Sequence, residues 1–292
     1  MFDFINGAEL LDLCNTHNKK ISDIMINREK ELFGISDLET FSKMEKGYSI
    51  MLKSIEEGIS STRRSMGGII GGEAKKMLDR RKLFKTVCGS IVSNAVMYSM
   101  AVMETNSQMR LIVASPTAGS SGVIPGVFKS ICEEFEFESK DMVQVLFNAA
   151  AIGYIVSRNA AVSGAAAGCQ AEVGVASAMA ASAIVELMGG SPEQCLIASS
   201  ISLSNLLGLV CDPIAGLVEE PCQKRNAIGA SNALISAEIA LSGVNFIIPF
   251  DEMVDTMYNV GINMPSELRE TAMGGIAIAP SAPTMDDLFK KS

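Results

Sequence analysis

Tryptophan is absent from the 292 residues, histidine occurs once, and aromatic residues reach only 5%. Few aromatics leave little to stack against exposed bases. A single histidine excludes a His-rich metal site within the chain. That residue, His17, sits among Asn and Lys (CNTHNKK) and reads as a solvated side chain rather than a general base. Basic residues are outnumbered, 24 Lys and Arg to 33 Asp and Glu, for a net charge of −9 with no basic tract. Nucleic acid is therefore excluded as a partner, because phosphate neutralisation dominates that affinity. Charge is scarce at 20% while hydrophobic residues make up 48%, the reverse of a disordered chain. No lysine lies between Asp141 and Gln223, so the most apolar part of the chain cannot form a pyridoxal Schiff base. The first residues, MFDFINGAELLDL, carry acids where a secretion signal has a positive start. Long apolar runs are also missing. Residues 195–211 hold no charge over 17 positions but include four serines and Asn205. A spanning helix needs about 20 predominantly apolar residues, so buried helices are expected and no membrane partner.

What is present is a helical pattern almost throughout. Residues 7–58 place apolar side chains at helical spacing on a charged background, with Ile21, Ile24, Met25 and Leu32 on one face. Breaks rich in Gly, Ser and Pro fall at 60–72 (SSTRRSMGGIIGG), 115–126 (SPTAGSSGVIPG) and 211–222 (CDPIAGLVEEPC). Helices are predicted over 73–87, over 89–107, from within the second break to 135, and over 139–157. A Gly/Ala/Ser-rich helical region then runs to 189. Ser191 and Pro192, as N-cap and first helical residue, open a helix ending near 209. Another is predicted over 224–241, and none is assigned beyond it. The runs 111–114 and 244–248 look strand-like but are too few for a sheet. The fold expected is all-α: a single compact helical domain over 1–292, with peripheral helices in 1–60, a catalytic core in 61–283, and buried helices rich in small residues.

Seven cysteines, an odd and dispersed number, suit a reducing cytoplasmic setting with free thiols or a metal site. Cys14, Cys88, Cys132 and Cys195 fall in helical patterns, where a free Cys is commonly a small buried hydrophobe. Cys169, Cys211 and Cys222 instead fall at or beside breaks, where thiolates from distant segments can converge. Their spacing matches neither a zinc knuckle nor a ferredoxin run, so structural thiols and a metal site both stay open. Three thiolates without a fourth would leave a [4Fe–4S] cluster one iron open to substrate, and an open iron is a Lewis acid. The 115–126 loop supplies Gly119 and Gly122 for close approach and Thr117, Ser120 and Ser121 as hydroxyls. A helix starting near Gly122 would point N–H groups at a carboxylate. A plain Gly/Ser turn accounts for the same residues. Ser65, Met66 and Gly67 could close such a pocket. Lys224, Arg225 and Asn226 either hold a substrate carboxylate or face solvent.

The segments SPTAGSSGVIPG, SGAAAGCQAEVGVASAMAA and LLGLVCDPIAGLVEEPCQKRNAIGA resemble the α-chain of the iron–sulfur-dependent L-serine dehydratases, the L-serine ammonia-lyases. The resemblance runs from about residue 61 to 283. It implies an all-helical fold and a [4Fe–4S] cluster on Cys169, Cys211 and Cys222. With that substrate, the loop residues read above, Ser65, Met66, Gly67, Thr117, Gly119, Ser120, Ser121 and Gly122, together with Asn226, are the expected serine-binding residues. The implied reaction is removal of the α-proton and the β-hydroxyl of L-serine, giving aminoacrylate and then pyruvate and ammonia. A β-chain partner, forming a heterodimer or higher assembly, is implied, and with it a catalytic base absent from this chain. The end, Lys-Lys-Ser, has no Cys to cap the cluster as in some relatives. Alternatives are a related cysteine desulfidase-type lyase and a non-catalytic helical subunit that binds metal.

Overall fold

Residues 2–289 are described by the computed structural model; the terminal Lys-Lys-Ser expectation lies outside them. The helical segments and their Gly/Pro breaks produce thirteen α-helices and no strand among the described residues. Three come first: α1 (Gly7–His17), α2 (Ile21–Phe33) and α3 (Asp37–Ser60). Then follow α4 (Glu73–Leu83), α5 (Gly89–Ser107), α6 (Val123–Phe135) and α7 (Ser139–Asn159). The apolar second half supplies α8 (Gly164–Ala167), α9 (Val175–Leu187), α10 (Pro192–Asn205) and α11 (Cys222–Leu241). The chain closes with α12 (Phe250–Ile262) and α13 (Met285–Phe289). None of these helices is long and apolar enough to cross a membrane.

Helix α9 is the axis of the molecule. Every residue from Val175 to Glu186 is buried, as expected for a helix apolar on all sides. Helices α6, α7, α10 and α11 pack around it. Its Ala and Ser side chains let the neighbours approach closely. The serine hydroxyls are paired internally: Ser177 donates to the Gly229 carbonyl at 2.8 Å, and Asn232 donates to Ser177 at 3.0 Å. Pairing removes most of the penalty of burying polar groups.

Helix α5 crosses α6 where Gly126 faces it. A Cβ on Gly126 would stand 2.7 Å from the Ala95 carbonyl oxygen and 2.8 Å from the Ser99 nitrogen, both main-chain atoms. Gly126→Ala gains helix propensity but forces two backbones apart. The expected result is a lower urea midpoint with unchanged m-value, equivalent to about 1–3 kcal/mol lost.

Several expectations are corrected. Leu32 does not share the buried face of Ile21, Ile24 and Met25; it is 58% exposed at the end of α2. Cys88 is exposed rather than buried. The helix expected to reach 209 stops at Asn205, because the turn through Gly208 (φ 84°) needs a left-handed residue. Helix α12 was not expected. Its signal is Phe250, Met253, Val254, Met257 and Gly261, which are buried at helical spacing just after Pro249.

Candidate metal centre

The 115–126 and 211–222 breaks and the C-terminal segment meet beside the turn before α9. Gln170–Gly174 forms one turn of π-helix, a geometry frequent at functional sites. Gln170 anchors it: its amide donates to the Met257 carbonyl at 2.8 Å and accepts from Gly208 N–H at 2.8 Å. Cys169 and Glu172, three residues apart, fall on one face. Cys211 comes from the 206–221 loop, where its N–H donates to the Leu268 carbonyl at 2.8 Å and its carbonyl accepts from Glu270 N–H at 2.7 Å. The sulfurs of Cys169 and Cys211 and a carboxylate oxygen of Glu172 all lie within 4.8 Å of one another, and all three residues are buried. Gly164 makes room for them. A Cβ there would stand 2.6 Å from the Cys211 sulfur and 2.8 Å from Glu172 Oε2.

Cys222 is buried at the first position of α11. It lies outside that 4.8 Å group, yet the charge of Cys169 reaches its thiol. A hydrogen bond from the Cys211 thiol lowers Cys169 below its ordinary range, with help from Arg225, while the same bond raises Cys211. Burial pushes Cys222 and Glu172 upward. Arg225 is the local cation: its guanidinium pairs with Asp212 at 2.7 Å and donates to the Val210 carbonyl at 2.8 Å. Asp212 also accepts from Ile276 N–H at 2.7 Å, which ties the C-terminal segment over the cysteine loop.

The expected substrate residues divide by accessibility. Thr117 and Gly119 are half-buried at the edge of the cluster, and Thr117 donates to Glu172 Oε1 at 2.7 Å. Ser120, Ser121 and Gly122 are buried, and both hydroxyls bond within their own loop. Asn226 is fully buried. Its amide accepts from Gly122 N–H at 3.0 Å and donates to the carbonyls of Gly119 at 2.8 Å and Cys222 at 2.9 Å. It therefore pins the Thr117–Gly122 loop to the helix that carries Cys222. Of its two neighbours, Lys224 is partly exposed and pairs with Glu220, while Arg225 turns inward.

Ser65 and Gly67 are held by a residue the sequence reading passed over. Glu219, 2% exposed, accepts from Ser65 Oγ at 2.6 Å, Gly67 N–H at 2.7 Å and Ile69 N–H at 3.1 Å. Met66 stays exposed, with its N–H on the Ser107 carbonyl at 3.0 Å. Asn106, next along α5, donates to Ala118 O at 3.0 Å, so both glycine-rich loops hang from the end of one helix. Glu104 on α5 was also missed. It caps α4 through Gly72 and Ala74 N–H and accepts from Gln223. Neither glutamate stands in a repeating motif; Glu172 was not assigned from the sequence either, although its place three residues after Cys169 could have found it.

The sequence profile of the family described as "Serine dehydratase alpha chain" matches residues 16–277. The chain belongs to that family. It is 45% identical over 278 residues to the "Probable L-serine dehydratase, alpha chain" of Bacillus subtilis, covering 95% of this chain and 92% of the relative. It is 40% identical over 271 residues to the L-serine dehydratase alpha chain of Peptoniphilus asaccharolyticus, covering 93% of each. Against the L-serine dehydratase of Helicobacter pylori, identity is 35% over 285 residues, covering 94% of this chain but 62% of that longer protein. This serine dehydratase alpha chain is thus an enzyme chain. The thiols, carboxylate and loops described above all fall within the matched residues.

Proposed function

We propose that this chain is the α-subunit of an iron–sulfur-dependent L-serine ammonia-lyase that converts L-serine to pyruvate and ammonia with a β-chain partner. The observation that carries the reading is the convergence of buried Cys169, Cys211 and Glu172, with Thr117 hydrogen-bonded to the carboxylate. Soft thiolates, with no histidine nearby, are the donor set an iron–sulfur cluster takes. The Gly164 cradle and the Arg225 cation suit an anionic inorganic group. We assign Cys169, Cys211 and Cys222 as its ligands. A [4Fe–4S] cluster held by three thiolates supplies an open iron, a Lewis acid for a hydroxyl or carboxylate oxygen.

The chain's own residues then supply position. Thr117 and Gly119, half-buried beside Glu172, and the exposed Met66 meet the serine. Ser120, Ser121, Gly122 and Asn226 hold the Thr117 loop in shape, and Ser65 and Gly67 hold the opposite loop through Glu219. The C-terminal segment excludes water from the Cys211 side. The base that removes the α-proton comes from the β-chain, in keeping with a longer relative of which the match covers only 62%. Dispersed free thiols support a reducing cytoplasmic setting.

The test is anaerobic reconstitution with ferrous iron and sulfide. Broad visible absorption at about one cluster per chain, with pyruvate released from L-serine once the β-chain is added, is the expected result. Bound zinc without colour or turnover overturns the proposal. A higher kcat/KM for L-cysteine than for L-serine reassigns the substrate.

A further inference from the structure

We propose that the cavity where α2, α7 and α9 meet binds a free aliphatic α-amino acid, with its ammonium group on Glu186 and its carboxylate on Lys20. Four glutamates are buried among the described residues. Glu104, Glu172 and Glu219 have both carboxylate oxygens bonded within the chain. Glu186, 2% exposed, has only one: Oε2 accepts from Ser22 N–H at 3.1 Å and from the Asn148 amide at 2.7 Å, while Oε1 is buried with no partner. Protonation does not satisfy that oxygen, because a neutral acid leaves its own hydroxyl without an acceptor. Burial pushes this carboxyl upward, and the Ser22 and Asn148 donors and the Lys20 charge hold it down. A buried carboxylate in this position calls for a cationic partner.

Glu186 lines a cavity of about 220 Å³ whose polar wall is completed by Asp141, Gln144 and Lys20. The Gln144 amide donates to Ser22 Oγ at 2.8 Å and to Asp23 at 3.1 Å, which leaves its carbonyl oxygen as an acceptor. Asp141 accepts from Glu138 N–H through one oxygen at 3.1 Å. An ammonium head carries three donors, which Glu186, Gln144 and Asp141 can receive. Lys20 is the exposed member of the wall; among the described residues it forms no ion pair, yet its charge reaches Glu186. That charge opposes a bare metal ion and attracts a carboxylate. The rest of the wall, Phe137, Val145 and Leu187, is apolar and suits a hydrocarbon side chain. The cavity is separate from the metal centre, since Glu186 lies eleven residues beyond Val175, about 16 Å along α9.

The experiment is isothermal titration of the full-length chain with L-valine, which lacks the β-hydroxyl that elimination requires. One saturable site per chain is expected, with D-valine at least about tenfold weaker because it cannot make all three contacts. Glu186→Gln and Lys20→Ala are each expected to weaken L-valine at least about tenfold, the scale of one charge-assisted hydrogen bond. Lys20 is exposed, so its variant keeps the fold. Isobutylamine, which has the amine and side chain without the carboxylate, is expected to bind Lys20→Ala no more weakly than the wild type. Cys211→Ser is expected to bind L-valine like the wild type, which separates this site from the metal centre. No saturable heat in the wild type, unchanged binding in folded Glu186→Gln or in Lys20→Ala, or loss of binding in Cys211→Ser overturns the proposal. So does saturation by potassium or ammonium chloride without L-valine binding, the result of a bare-cation site. Each of these outcomes leaves the serine dehydratase reading standing.

Discussion

Serine in place of Cys211 is expected to leave a folded protein that takes up no intact cluster and releases no measurable pyruvate. The swap changes one buried atom for a slightly smaller one, so packing is nearly preserved. The main-chain bonds of residue 211 to Leu268 and Glu270 do not involve the side chain and persist. What changes is the donor. A serine hydroxyl keeps its proton at neutral pH and is a poor ligand for iron, whereas the thiolate is the ligand form. Far-ultraviolet circular dichroism should therefore match the wild type while visible absorption and turnover vanish. Cys195→Ala is the control. Cys195 is 1% exposed on α10, its sulfur 3.8 Å from the Asn148 amide, and its loss should cost about 1 kcal/mol in packing with the cluster intact. If Cys195→Ala removes the cluster and Cys211→Ser keeps it, the ligand assignment is wrong.

The second large effect is expected from Glu219→Ala. It strands three donors, Ser65 Oγ and the N–H groups of Gly67 and Ile69, with no acceptor. A buried donor left unsatisfied costs about 1–3 kcal/mol, so the loop opens to water rather than staying closed around a void. Iron content should hold, because no ligand is lost. We expect kcat/KM for serine to fall about 100-fold, the scale of a small misplacement at a reacting centre. Limited proteolysis should cut within 61–72 in the variant and not in the wild type. An unchanged kcat/KM would remove Ser65, Met66 and Gly67 from the substrate site.

Much of the fold was legible because its signals are local. The predicted limits of α5, 89–107, match the structure, and Ser191 caps α10 through Gln194 N–H as its position before Pro192 implies. Where the reading failed, the deciding forces were not local. Leu32 follows the apolar spacing of α2 yet faces outward, since no neighbour covers that end. Helix α12 was hidden by the prolines that flank it, although its own spacing is regular.

The sequence by itself determined the class of fold, the family, and which residue types can act, because helical period, thiol count and a near absence of histidine are one-dimensional properties. The tertiary structure alone decided which side chains meet. Cys169 and Cys211 stand 42 residues apart in the chain and become neighbours only when the π-turn before α9 and the cysteine loop are packed together. The same packing turns Asn226 inward as a loop support, closes Glu219 onto the Ser65 loop, and brings the Glu172 carboxylate against two sulfurs. Contacts between distant segments leave no periodic trace in the chain, since burial and pairing in three dimensions select them.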